Sequence, residues 1–238
     1  MNMPELVKTA DGSDTLYISE LNEHYHSTFG AVQESLHIFI QAGLHQCKQS
    51  SINLFEVGFG TGLNAYLTVL ESLKTGQTIR YITIEKYPLT PTIWKALNYT
   101  EIIPEGNPLL FQMIHEAKWN EEVKITDHFS ILKLSADLKS FDYSKIPLFD
   151  IVYFDAFSPE KQPKLWETSI FHQIASHCAS KAKFVTYCAK GAVRRSLINA
   201  GFTMERIPGP PGKREILRGT VESQGTTIRP ITSSTIHL

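Results

Sequence analysis

Three glycines at alternate positions, Gly58, Gly60 and Gly62, follow the apolar run Leu54, Phe55 and Val57. Glycine removes the side chain where a backbone turns sharply and a ligand has to come close. From Leu63 the apolar spacing becomes helical, with Leu63, Leu67, Leu70 and Leu73 on about one face. A buried strand feeding a glycine turn and a helix N-terminus is a nucleotide-binding unit, although the same pattern also serves as a tight turn with no ligand. Acidic residues then close later apolar runs: Glu85 after 79–84, Asp137 in the loop after 129–134, and Asp155 after 148–154. Glu85 lies 23 residues past Gly62, where an acid at a strand end accepts hydrogen bonds from ribose hydroxyls. Asp137 is suited to a base amino group.

The elements that must hold these residues read in order. Residues 5–18 form a β-hairpin turned at Asp11-Gly12. The polar, aromatic stretch 23–30 precedes a helix over about 31–42, with Glu34 in its first turns, facing the same way as Tyr25, His26 and Ser27. His24 and His26 have no third ligand cluster, so no metal site is expected. After the glycine turn come a strand at 79–85, helices at 88–97 and 109–117, and strands at 123–125 and 129–134. A strand at 148–155 leads through the loop bracketed by Pro159 and Pro163 to a helix from 164 or 165 to 177. A strand at 184–188 and a helix at 192–200 ending at Gly201 follow. Two strands, 203–207 and 214–219, close the pattern around the Gly/Pro-rich loop 208–213. Residues 1–45 are expected to pack on a main domain at 46–219, and 220–238 to be an irregular tail.

Bulk properties exclude several classes. The 238 residues are 42% hydrophobic and 20% charged, as in ordinary globular proteins. No apolar run is long enough to span a bilayer, and 1–14 lacks the apolar core of a signal peptide. Cys47, Cys178 and Cys188 are odd in number and not in C-x-x-C spacing, which suggests a reducing, cytoplasmic setting without zinc. The net charge of −1 hides an asymmetry. Residues 181–218 carry nine Lys/Arg against Glu205 and Glu215, whereas the first 180 residues carry 13 basic and 21 acidic residues. A local anionic partner fits this distribution, as does a solvated basic face.

Five βα repeats that finish in a strand pair, rather than a sixth parallel strand, depart from NAD enzymes. They are the mark of S-adenosylmethionine-dependent methyltransferases of Rossmann-like class I fold: a mostly parallel α/β sheet closed by an antiparallel pair. The chain then resembles a specific family, the methyltransferase domain of the MnmC proteins of tRNA 5-methylaminomethyl-2-thiouridine biosynthesis. The matching stretches are D-G-S-D-T-L-Y (11–17), H-S-T-F-G-A-V-Q-E-S (26–35), E-V-G-F-G-T-G-L-N (56–64), I-E-K-Y-P-L-T (84–90), F-D-A-F-S-P-E-K-Q-P-K-L-W (154–166), G-A-V-R-R-S-L-I-N-A-G-F (191–202) and G-K-R-E-I-L-R-G (212–219).

The resemblance implies methyl transfer from S-adenosylmethionine to the amine of a 5-aminomethyl-uridine at the tRNA wobble position. It implies cofactor contacts from Glu56, Gly58, Gly60, Thr61, Gly62, Asn64, Glu85, Lys86, Asp137 and Asp155. Asp155 would face the methyl group and help deprotonate the amine. Tyr25, His26, Phe157 and Trp166 are candidates to meet the target base. Arg194, Arg195, Lys213 and Arg214 are candidates for anticodon-loop phosphates. No second dinucleotide fingerprint is present, so FAD chemistry is not expected here, and a separate enzyme must supply the amine. A small-amine methyltransferase and a non-catalytic nucleotide-binding module are the alternatives.

Overall fold

The computed structural model describes residues 3–222. A first, three-stranded antiparallel sheet holds β1 (Glu5–Lys8), β2 (Asp14–Ile18) and β3 (Glu23–His24). The expected hairpin is β1–β2; the two-residue β3 falls in the polar, aromatic stretch ahead of the helix. Helix α1 (Ala31–Ser35) continues as a π-helical segment, Leu36–Gln41. Asp11 of the hairpin turn accepts from the Gln33 amide at 2.9 Å, which satisfies one of the free N–H groups of the first turn of α1. Thus the 11–17 motif acts on the 26–35 motif.

The main sheet has eight strands. In chain order its elements are β4 (Ser51–Val57), α2 (Leu63–Thr75), β5 (Thr78–Glu85), the short helices α3 (Pro91–Trp94) and α4 (Tyr99–Ile102), α5 (Pro108–Glu116), β6 (Glu122–Thr126), β7 (Phe129–Ser135), β8 (Phe149–Phe154), α6 (Thr168–Ser176), β9 (Cys178–Thr186), α7 (Gly191–Asn199), β10 (Phe202–Pro208) and β11 (Glu215–Val221). The spatial order is β10-β11-β9-β8-β4-β5-β7-β6. The five central strands run parallel, β10–β11–β9 pair antiparallel at one edge, and β6 pairs antiparallel with β7 at the other. The chain order reverses between β4 and β8, so a crevice opens beyond their carboxyl ends.

Alternation along the strands builds two cores. Leu54, Tyr81, Ile131, Ile151 and Tyr153 face α1, α2 and α5, while Phe55, Val57, Ile82, Val152, Phe154 and Phe184 face α6 and α7. A fully buried side chain of this size contributes about 2 kcal/mol, which is why a strand covered on both faces reads as a continuous apolar run.

Three expectations shift. The helix read over 88–97 shrinks to α3, because Pro88 and Pro91 hold the residues before them out of helical geometry. The helix read from 164 to 177 breaks at Glu167, whose ψ of 148° separates a 3₁₀ turn at Pro163–Trp166 from α6. Strand β11 continues to Val221, and the part of the expected tail beyond 222 lies outside the described residues.

Candidate active site at the switch point

The glycine loop is stitched to both neighbouring strands. Gly58 N donates to Ile84 O of β5, and Asp155 N donates to Val57 O of β4, each at 3.0 Å. Gly58 has φ of +92°, and a Cβ there would lie 2.8 Å from Asp155 O. Gly62, with φ of +74°, caps α2, and a Cβ there would meet the His115 ring at 2.6 Å. The loop therefore needs glycine on both backbone and steric grounds. Glu85 closes β5 as expected; its Oε2 accepts from Gly60 N at 3.3 Å and its Oε1 from Tyr87 N at 2.8 Å. A carboxylate has lone pairs left for two hydroxyls after those bonds.

Beneath the loop lies a buried floor. His26 Nε2 is 2.7 Å from Thr61 Oγ1, and His115 Nε2 is 3.2 Å from Thr61 O. Burial pulls the His26 imidazole down to about 4 and that of His115, which stacks on Trp94, to about 3, so both are neutral near pH 7. Lys133 is buried alongside, donates to His115 O, and lies over the Trp119 and Phe59 rings; burial lowers its ammonium to about 8. Glu56 is 0% exposed, accepts from Thr83 Oγ1 at 2.8 Å, and is pushed up to about 8 by burial. It is a neutral acid at pH 7 in the layer under the loop.

Across the crevice, Asp155 Oδ2 accepts from Asn64 Nδ2 of α2 at 2.8 Å. Burial, and then the charge of Glu34, raise the Asp155 carboxyl to about 7. Glu34 on α1 accepts from Ser27 N through Oε2 at 2.8 Å, and Lys213 Nζ lies 3.3 Å from its Oε1. Lys213 also sits 5.0 Å over the Tyr187 ring, whose hydroxyl donates to Ala156 O at 3.0 Å. Ser158, next along, gives both its amide and its hydroxyl to the carboxylate of Glu23 from β3. The N-terminal sheet thereby holds the loop that follows Asp155.

Several sequence-based expectations change place. Glu56 and Thr61 turn into the floor rather than the crevice, because a strand residue of that parity faces α2 and because Thr61 is held by both histidines. His26 is a support of the loop, not an exposed base contact. Trp166 is 5% exposed, packs on Phe154 and Phe171, and spends its N–H on Phe157 O, which leaves no ring face for a base. Lys213 is turned inward to Glu34 rather than outward. Arg194 donates to Met204 O on β10, while Arg195 and Arg214 are exposed.

Others stand near the crevice. Tyr25 lies against Gly60 and edge-on to Phe157 at 5.0 Å. Lys86 pairs with Asp137 at 3.0 Å, and Asp137 also caps the turn at Leu138–Ser140. Sequence reasoning gave no role to Tyr187 or Glu23. Neither carries a motif signal; both act through contacts distant in sequence.

Comparison with known proteins places this geometry. Residues 104–222 match the profile of a family of S-adenosyl-L-methionine-dependent methyltransferases. The chain belongs to that family. MnmC, the tRNA 5-methylaminomethyl-2-thiouridine biosynthesis bifunctional protein, is 29% identical in Campylobacter fetus over 90% of this chain and 36% of the relative. Its Saccharophagus degradans counterpart is 30% identical over 90% of this chain and 35% of the relative. The chain thus spans about a third of the length of these relatives. The crystal structure of MnmC2 from Aquifex aeolicus superposes with a TM-score of 0.75 at 27% identity, covering 93% of this chain and 71% of that one. The methyltransferase fold read from the strand pattern is the one present. The chemistry of the groups at the crevice is compatible with the family's cofactor: Glu85 keeps lone pairs for hydroxyls after its bonds to Gly60 N and Tyr87 N.

Proposed function

We propose that this chain methylates the primary amine of 5-aminomethyl-uridine or its 2-thio form at the wobble position of tRNA, producing the 5-methylaminomethyl base. The observation that carries the reading is Asp155: a half-buried carboxylate beside the glycine cradle, held by Asn64 and titrating at about 7. When bound, S-adenosyl-L-methionine supplies an activated methyl group. The glycine loop and Glu85 would hold that cofactor, with Lys86 and Asp137 the candidates for its adenine side. An alkyl ammonium has no free lone pair, so Asp155 accepts hydrogen bonds from it and takes its proton. A base that titrates at about 7 is matched to that task at neutral pH. Holding amine and donor in line supplies much of the remaining rate.

Tyr25 and Phe157 on the crevice wall are the remaining candidates for contact with the base, and Arg195 and Arg214 for phosphates. The relatives are bifunctional by name, and the oxidative, FAD-dependent generation of the amine is assigned to a separate activity. We assign the protein to the cytoplasm with its tRNA. The test is nucleoside analysis of tRNA incubated with the protein and methyl-labelled cofactor. Label is expected in 5-methylaminomethyl-uridine only when the tRNA carries the unmethylated amine. Methylation of free small amines with no label in such tRNA would overturn the reading.

A further inference from the structure

Beside the half-buried Asp155, this corner holds a second carboxylate that is more deeply buried. Glu34 is 8% exposed, and although Lys213 approaches Oε1, that oxygen has no aligned hydrogen bond. A carboxylate oxygen out of water without a hydrogen bond is costly to keep, on the order of 1–3 kcal/mol. Charge points the same way. Lys213 pairs with Glu34 at 3.3 Å, and the charges of both reach Asp155. The Lys213 head lies on the Tyr187 ring, and Tyr187 is tied to Ala156 O, beside Asp155. The corner has room in its charge balance for one further cation.

We propose that Glu34 is a second amine-binding carboxylate, which takes one N–H of the substrate ammonium through Oε1 while Asp155 takes another, with Lys213 fixing its position. This rests on the amine-methylation reading above. It assigns selectivity: a cationic primary amine satisfies both carboxylates, whereas a neutral hydroxyl nucleophile has one proton to donate and leaves the other carboxylate unpaired. Glu34 comes from the N-terminal helix and Lys213 from the β10–β11 turn, so the amine site closes only when both ends of the chain pack on the β8 loop.

The charges around Asp155 set the test. It faces Asn64 of α2, Glu34 of α1, Lys213, Tyr187 beyond β9, Glu56 of β4 and Tyr81 of β5. Glu34 in turn faces Lys213, His26 and Tyr187. Replacing Glu34 by Gln removes a negative charge and lowers the Asp155 titration; replacing Lys213 by Met removes a positive one and raises it. Opposite shifts establish that both charges act on Asp155, and the KM for the amine-bearing tRNA, with its rescue by Glu34→Asp, separates amine binding from a structural ion pair.

The experiment compares Glu34→Gln, Glu34→Asp and Lys213→Met with the wild type on tRNA carrying 5-aminomethyl-uridine. The Asp155 carboxyl is also titrated by carbon NMR in cofactor-free protein, with Asp155→Asn as the assignment control. Expected results are a KM raised about tenfold or more in Glu34→Gln, partial rescue in Glu34→Asp, and acid limbs of kcat/KM displaced downward for Glu34→Gln and upward for Lys213→Met. The substrate amine titrates alike in all variants, so it does not contribute to these differences. Unchanged KM in a folded Glu34→Gln, or displacement of both titrations in the same direction, overturns the proposal. Wild-type protein that leaves this tRNA unmethylated overturns the substrate reading instead, and the NMR titration still decides whether Glu34 and Lys213 bracket Asp155.

Discussion

The glycine loop and the Asp155 corner face each other across the same crevice, yet they are built differently. The loop is one continuous stretch, Gly58 to Gly62, whose conformation follows from glycines at positive φ between β4 and α2. The corner draws Glu34 from α1, Asn64 from α2, Asp155 from the end of β8, Tyr187 from beyond β9 and Lys213 from the hairpin turn. A site made by local backbone geometry tolerates change in its surroundings and fails through strain. A site made by convergence tolerates little displacement and fails through charge. The two should therefore separate under mutation.

The largest separation is expected from Asp155→Ala. Turnover should fall by roughly 10²–10⁴, the usual worth of a positioned proton acceptor, while calorimetry still detects cofactor binding. Loss of cofactor affinity along with turnover would mean that Asp155 belongs to the loop's function and that the division between the regions is wrong.

Gly58→Val should do the reverse. Its Cβ has to enter left-handed space and would press on Asp155 O at 2.8 Å, so cofactor affinity and thermal stability fall together, by about 2 kcal/mol or more. A variant with normal affinity would show that the cradle is not where the cofactor sits.

Glu56→Gln probes the floor through pH. The Glu56 carboxyl titrates at about 8 in the folded chain against an ordinary 4.5. A raised pKa contributes stability that is complete below 4.5 and is lost as pH rises through about 8. The glutamine variant, which cannot ionise, should gain on the wild type across that window, by up to roughly 5 kcal/mol at its upper end. Chemical denaturation at pH 6 and pH 9 reads this directly; parallel curves at both pH values would refute a buried neutral acid.

The smallest effect belongs to the outer rim. Arg195→Ala with Arg214→Ala should weaken tRNA binding about uniformly and flatten its salt dependence by a slope of roughly 1–2, with the rate at saturating tRNA retained. An unchanged slope would locate the RNA path elsewhere.

The basic C-terminal segment shows why part of the site could not be read in advance. Nine cations between 181 and 218 suggest one positive face. In the folded chain Lys190 pairs with Glu160, Arg206 with Glu215, Arg218 with Glu205 and Lys213 with Glu34. Two of those four partners lie outside the segment, and a linear count of charge has no means of finding them. Trp166 is a similar case: in the motif it looks available, but the break at Glu167 turns its indole into the core. His26 sits in a matching motif as well, and only its distance to Thr61 reveals that it supports the loop.

What the sequence determined by itself was whatever local chemistry dictates. Alternating apolar runs required a sheet with helices on both faces, glycines at alternate positions required the turn, and acids at strand ends required a polar edge. These depend on neighbours a few residues apart, and such neighbours interact in any fold that forms. The tertiary structure decided which side chains share charge. Asp155 titrates at about 7 because the packed sheet strips much of its water and α1 brings Glu34 towards it, while Lys213 returns from the turn between β10 and β11. Coulomb interactions and desolvation depend on separation and burial in space, and neither quantity is written in the order of residues.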